Sequence, residues 1–327
     1  GVPKATVQFH RDLLIPADGF SASALEPSPE DRFCSSAPIG FTFGLGALVL
    51  FPFRARATSV TIERPTATAL LETIDRHGVT LLLTAPTAYR TMLSDVGSYD
   101  LSSLRLCVSA GEHLPPSTHE AWTATTGTQL VNGIGATEMM HIFIASTPGE
   151  TPAGSCGHPV PGYEACVLDG AGLPLDSGTG RLAVRGPTGC RYLGDVRQND
   201  YVIDGWNVTG DTYRIDEAGN FWFVARSDDM IVSSGYNIAA PEVEAALASH
   251  DAVTESAVIG VPDIERGTVI KAFVVLRRGR QPCDALAHEL QDHVKSVIAP
   301  YKYPRLVEFV ADLPRTPTGK IRHADLR

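Results

Sequence analysis

Several features are scarce in this sequence, and each absence removes a class of function. No apolar run in the 327 residues approaches the ~18 that a membrane-crossing helix needs. The six cysteines, at 34, 107, 156, 166, 190 and 283, form no C-x-x-C pair. That spacing argues against a zinc ribbon or a disulfide framework and points to reduced thiols in a cytoplasmic protein. His288-Glu289 followed by His293 misses the H-E-x-x-H pattern by one residue, so the two histidines do not share a helix face as a zinc pair would. Basic residues are in deficit, 27 Lys and Arg against 37 Asp and Glu, for a net charge of −10. Such a balance disfavours non-specific binding to nucleic acid or to an anionic membrane. No internal repeat and no signal-peptide pattern stand out.

What is present is an ordinary globular composition, 43% apolar and 20% charged, long enough for two or three domains. Residues 1–155 mix buried strands and helices as an α/β layer does. Thr68 to His77 reads as a helix stopped by Gly78. Val79 to Thr84 and Leu104 to Val108 read as buried strands. Phe41 to Phe53 is an apolar, Gly-interrupted stretch whose second half suits a buried helix. Residues 156–227 are dense in Gly and Pro, and short strands (Tyr163–Asp169, Gly180–Arg185, Phe221–Val224) imply a β-rich subdomain. From 228 to 327 the pattern is α+β. Pro241–Ser249 and Pro282–Ser296 read as helices; Val253–Val261, Val269–Leu276 and Leu306–Val310 read as strands.

Three stretches carry groups suited to phosphate and sugar chemistry. The first is Trp206 to Ile238. Thr209-Gly210-Asp211 reads as a turn leaving an acceptor-only carboxylate, and Arg226 ends the Phe221 strand with a fork of donors. Asp228-Asp229 break the pattern before a second strand at Met230–Val232, and Ser233-Ser234-Gly235 closes it. A plain hairpin with a charged turn accounts for these residues equally well. The second stretch is Asn132-Gly133-Ile134-Gly135-Ala136-Thr137-Glu138. Its glycines permit close backbone approach, Thr137 can meet a phosphate oxygen, and Glu138 can hold Mg²⁺. An incidental Glu after a strand fits as well. The third is Pro314-Arg315-Thr316-Pro317-Thr318-Gly319-Lys320, either a solvated tail or a loop presenting a compact positive charge. Ser109-Ala110-Gly111-Glu112, after a buried strand, is a weaker sign of a nucleotide turn.

Taken in order, these motifs resemble the adenylate-forming superfamily of acyl-CoA synthetases, peptide-synthetase adenylation domains and luciferases. T-G-D at 209–211, R-x-D-D from Arg226 through Pro241, Glu242, Val243 and Glu244, and the G-K at 319–320 all match. The form Gly133-Ile134-Gly135-x-Thr137-Glu138-Met139-Met140-His141 is similar to benzoate and 2-aminobenzoate CoA ligases.

The resemblance implies the fold: part of a large adenylate-forming α/β domain over 1–227, and a mobile α+β lid over 228–327. It implies ATP, Mg²⁺ and coenzyme A as reactants, and an aromatic acid, benzoate or 2-aminobenzoate, as substrate. It also implies that Gly1-Val2-Pro3-Lys4 ends a phosphate loop whose upstream region is absent.

Site roles follow by the same resemblance. Lys320, Thr137 and Glu138 would be catalytic, with Glu138 on the metal. Lys4, Gly111, Glu112, Asn132, Gly133, Ile134, Asp211 and Arg226 would hold the nucleotide. Phe41, Thr42, Phe43, Gly135, Met140 and His141 would line the acyl pocket, although His141 reads equally as a core histidine. Asp228 would be the hinge, and Ser234, Gly235, Tyr301 and Arg305 would meet CoA. Loading of an aryl acid onto a carrier-protein thiol, and an inactive fragment, remain as alternatives.

Overall fold

Short apolar runs in the first 135 residues, such as those at 81–84 and 106–110, are too short for helices and have no polar alternation. They are the mark of parallel strands covered on both faces. The computed structural model, which describes residues 4–226, 230–233, 236–263, 267–315 and 321–326, assembles them into one seven-stranded sheet. Its order is Thr58–Val60, Arg32–Ser35, Leu81–Thr84, Leu106–Ala110, Gln129–Gly135, Ile142–Ala145, His158–Pro159. The first five run parallel, Ile142–Ala145 runs antiparallel to them, and His158–Pro159 reverses again beside it. All residues of Leu81–Thr84 and Leu106–Ala110 are buried. The helix expected near 68–77 spans Ala67–His77. Thr66 caps its start through a bond from the Ala69 amide, and Gly78 ends it at φ 59°. The second half of the 41–53 stretch is the expected buried helix, its Gly46, Ala47, Leu48, Phe51 and Pro52 all inside.

The β-rich region forms a six-stranded sheet. Glu164–Leu168 pairs antiparallel with Gly178–Arg185, and Trp206–Ile215 and Phe221–Arg226 complete its far side. One expectation fails here. Thr209-Gly210-Asp211 is not a turn but lies inside the ten-residue strand Trp206–Ile215. That strand has ladder partners on both edges, and it buries Val208, Tyr213 and Ile215, so tertiary pairing outweighs the local Thr-Gly-Asp preference. The simple hairpin also fails. Phe221–Arg226 pairs back onto Trp206–Ile215, and Met230–Ser233 pairs with Tyr236–Ala239 instead.

The chain divides into two compact units, Gly1–Thr209 with Tyr213–Phe223, and Gly210–Thr212 with Val224–Arg327. In the second, Val253–Asp263 and Gly267–Leu276 are antiparallel, and Leu306–Phe309 joins parallel to the latter. A parallel neighbour requires a crossover, and the helix Asp284–Val297 supplies it. That helix buries Leu286, Leu290 and Val294 at a spacing of four, against Val243, Ala246 and Leu247 of the helix Ala240–Ala248. No helix among the described residues is long and apolar enough to cross a membrane.

Candidate active site

The sequence pattern Gly-Ile-Gly-Ala-Thr-Glu-Met-Met-His folds as the end of one strand, a tight turn and the start of the next. Gln129–Gly135 and Ile142–Ala145 are antiparallel neighbours, with Gly135 opposite Ile142. A Cβ on Gly135 would meet the His141 carbonyl oxygen at 2.8 Å, so only glycine lets the two strands close here. Thr137–Met139 make one 3₁₀ turn, and Met140 leaves it at φ 72°, ψ −36°. A non-glycine residue on that side of φ is strained by about 1–3 kcal/mol, a feature that gathers at functional sites.

Thr137 is exposed on the turn, and the half-buried Glu138 points to Tyr192 and Lys4. Tyr192 donates to Glu138 Oε1 at 2.6 Å, Lys4 Nζ lies 3.6 Å from that same oxygen, and Lys4 also donates to Tyr192 Oη at 2.9 Å. Lys4 reaches this place because Thr6–Val7 pairs with Arg191–Tyr192. Burial, reinforced by the Glu138 carboxylate, pushes the Tyr192 phenol far above its ordinary value, so the tyrosine stays a donor. Burial and the same carboxylate push the neighbouring Cys190 thiol up to about 11.

On the far side of the turn, His141 is buried among three phenylalanines. Phe20 stacks on it at 5.6 Å between centroids, Phe43 lies tilted at 5.7 Å, and Phe51 meets it edge-on at 4.7 Å. Neither ring nitrogen makes a hydrogen bond of normal geometry. Burial lowers its pKa to about 3, with the Phe43 backbone opposing, so the ring is neutral across the physiological range. Phe43 and Met140, both expected to line an acyl pocket, are half-buried and buried respectively. Phe41 stands apart at 53% exposed, just before Thr42 begins the helix. Phe20 and Phe51 were not anticipated as members of this group. Phe51 was legible as part of the apolar stretch, but nothing marks Phe20.

Other expected nucleotide residues have structural partners. Asn132, Gly133 and Ile134 lie within the strand Gln129–Gly135 rather than in a loop. The Asn132 amide donates to the Ser155 carbonyl at 3.1 Å and pins the 154–156 segment to it. Ile134 packs into the main core. Gly111, at φ 87°, turns the chain so that Glu112 can accept from the Thr87 hydroxyl at 2.7 Å, at the start of the helix Pro86–Met92.

In the second unit, Asp211 and Arg226 come within 3.7 Å of each other. Glu242 binds Lys302 at 2.6 Å, and Glu244 accepts from the Val258 amide at 2.8 Å while meeting His323 Nε2 at 2.9 Å. Arg315 forms a backbone bridge with Ile321 and pairs with Glu255. Tyr301 stacks on Tyr236 at 4.5 Å, and Arg305 lies over the Tyr303 ring at 4.5 Å. Asp228, Ser234, Gly235 and Lys320 lie outside the described residues. Among the described residues no group of three His, Cys, Asp or Glu side chains could hold a metal. A lone carboxylate is still the donor set Mg²⁺ takes when nucleotide phosphates supply the other oxygens.

A profile of AMP-binding enzymes matches residues 1–192, and one of the C-terminal domain of such enzymes matches residues 242–320. The chain belongs to the AMP-binding enzymes. It is 39% identical to a benzoate–CoA ligase of Thauera aromatica, over all of this chain and 63% of that protein. It is 41% identical to a mitochondrial acyl-coenzyme A synthetase of Mus musculus, over 81% of this chain and 48% of that protein. A solved anthranilate CoA ligase in complex with anthranoyl-AMP superposes with a TM-score of 0.92 at 38% identity, covering all of this chain and 64% of that one. This AMP-binding chain therefore spans less than two thirds of the length of these relatives.

Proposed function

We propose that this AMP-binding chain activates an aromatic carboxylic acid, benzoate or an aminobenzoate, with ATP and passes it to coenzyme A. The observation that carries the reading is the turn from Ala136 to His141. It places a carboxylate with two donors on one side and a neutral imidazole among three phenylalanine rings on the other. The relatives named for benzoate and anthranilate support the same substrate class.

In this reading an aryl ring enters beside Phe43 and Met140, with His141 as the one polar group able to meet a ring substituent. A histidine buried at a cost, with no hydrogen bond of normal geometry, is suited to a ligand that supplies one. Asp211 would accept the ribose hydroxyls while Arg226 steadies its charge. Glu138 would hold Mg²⁺, which offsets phosphate charge when bound, and Tyr192 and Lys4 keep that carboxylate aimed. The acid's carboxylate oxygen attacks the α-phosphorus, pyrophosphate leaves, and acyl-AMP remains. Lys320 would offset the charge that builds at that centre. The thiol of CoA then attacks the acyl carbon, AMP leaves as the carbonyl reforms, and the thiol proton passes to solvent. Tyr301 and Arg305 are candidates for the CoA nucleotide, with Ser234-Gly235 beside the pantetheine and Asp228 as the hinge between the two half-reactions.

A panel of acids in a CoA-dependent AMP-release assay tests the reading. Benzoate or aminobenzoates should be preferred, and a preference for acetate or long-chain acids would overturn the substrate class.

A further inference from the structure

Two buried hydroxyls outside every motif considered above reach the turn that bears Glu138. Thr188, 3% exposed, donates from Oγ1 to the Met139 carbonyl at 2.8 Å. Tyr163 Oη lies 2.7 Å from that same Oγ1. The threonine has one proton and spends it on Met139, so the tyrosine is the donor of the second bond. The two bonds therefore run in one direction, from Tyr163 through Thr188 to Met139. The tyrosine ring is seated in turn against Gly186, where a Cβ would come within 2.4 Å of its Cδ1.

The accepting carbonyl belongs to the peptide that joins Met139 to Met140. Met140 is held at φ 72°, a value that a side chain makes costly. Inside the turn this peptide is held only at its N–H, which donates to the Thr137 carbonyl at 3.2 Å, and the closing bond from the Ala136 amide to the His141 carbonyl is 3.4 Å long. Rotating the Met139–Met140 peptide would relax Met140 toward negative φ and swing the carbonyl away from Thr188. The Thr188 hydrogen bond selects against that rotation from outside the turn. Glu138 lies just before the rotating peptide and His141 just after it.

We propose that Thr188, backed by Tyr163, is a positioning residue for the reaction. It locks the Met139–Met140 peptide and so sets the direction of the Glu138 carboxylate on one side and of His141 on the other. The roles of Glu138 and His141 rest on the proposed function; the peptide orientation does not.

The test combines crystal structures with the Mg²⁺ dependence of acyl-AMP formation for Thr188→Val, Thr188→Ser, Tyr163→Phe and Thr188→Val with Met140→Gly. Thr188→Val should rotate the peptide to negative φ at Met140. Because an ångström of misplacement costs on the order of 10²-fold, it should raise the Mg²⁺ needed for half-maximal rate at least about tenfold. Thr188→Ser should restore both, and Tyr163→Phe should fall between. Glycine at 140 should return the turn, since it takes positive φ without strain. If Thr188→Val leaves Met140 at positive φ, or rotates it with the Mg²⁺ dependence unchanged, the inference is overturned. Should Thr188→Val not fold, a wild-type Mg²⁺ dependence in Tyr163→Phe decides against it. Glu138→Gln is a separate arm. If it leaves the Mg²⁺ requirement unchanged, the metal reading falls, and the peptide orientation in Thr188→Val alone decides the brace.

Discussion

Gly46→Ala probes the aromatic group around His141 by adding a single methyl group. A Cβ at position 46 would lie 2.4 Å from His141 Nε2, 2.5 Å from Cδ2 and 2.9 Å from Phe51 Cζ. Ordinary van der Waals contact begins near 3.4 Å, so the imidazole must retreat by about 1 Å. It has little room, because Phe20, Phe43 and Phe51 close on it. Overpacking of this kind costs about 1–3 kcal/mol, or roughly 2–10 °C of melting temperature for a chain of this size. If the ring yields, the slot for the acid changes shape. The KM for the aromatic acid should then rise about tenfold or more while the KM for Mg·ATP stays within about twofold. Calorimetry and steady-state kinetics on the purified variant would measure both. A variant that melts as the wild type and keeps its acid selectivity would refute the packing argument.

Three further outcomes are expected. Asp31 is buried and held by Arg105 at 2.8 Å and Thr80 at 2.6 Å. Burial alone would raise its pKa, but these bonds and the Ser28 amide more than offset that and hold it well below the usual carboxylate range. Asp31→Ala should cost about 3 kcal/mol near neutral pH, the low end for a broken buried pair because Arg105 is partly exposed. With the folded pKa depressed, that stability is present above about pH 4 and drains as pH falls toward the folded value. The gap between variant and wild type should therefore narrow in acid, and denaturant titrations with a constant gap would disprove it. Lys320→Ala should lower acyl-AMP formation by about 10²-fold or more yet spare thioester formation from supplied acyl-AMP; equal losses would remove its assigned role. Asp228→Pro would fix φ near −65° and should slow thioester formation far more than adenylation in single-turnover kinetics. Equal slowing of both steps would count against a hinge there.

Much of the architecture was legible because hydrophobic runs dictate it. The unbroken burial of Leu81–Thr84 and Leu106–Ala110 follows from their composition, as does the apolar spacing of Leu286, Leu290 and Val294. The Thr-Gly-Asp segment misled because its local preference for a turn is weaker than the ladder bonds available on both edges of Trp206–Ile215, and those partners lie far off in sequence. The same holds at the site. Glu138 was visible as a motif, but Tyr192 reaches it from 54 residues away, and Thr188 reaches the adjoining Met139 from 49, through strand pairing and packing that no local pattern encodes. His141 was open between a core histidine and a ligand group. The three rings around it bury it as a core histidine, and neither ring nitrogen has a hydrogen bond of normal geometry; the ligand role belongs to the proposed function.

Acid-dependent exchange of pyrophosphate into ATP bears most directly on the central claim, since it isolates the adenylation step. Measured on this chain across benzoate, 2-aminobenzoate, acetate and a long-chain acid, exchange should be supported by the two aromatic acids at least about tenfold better than by the others. It should also be lost in Lys320→Ala and in Glu138→Gln. Exchange driven equally by acetate, or undiminished in both variants, would contradict the account.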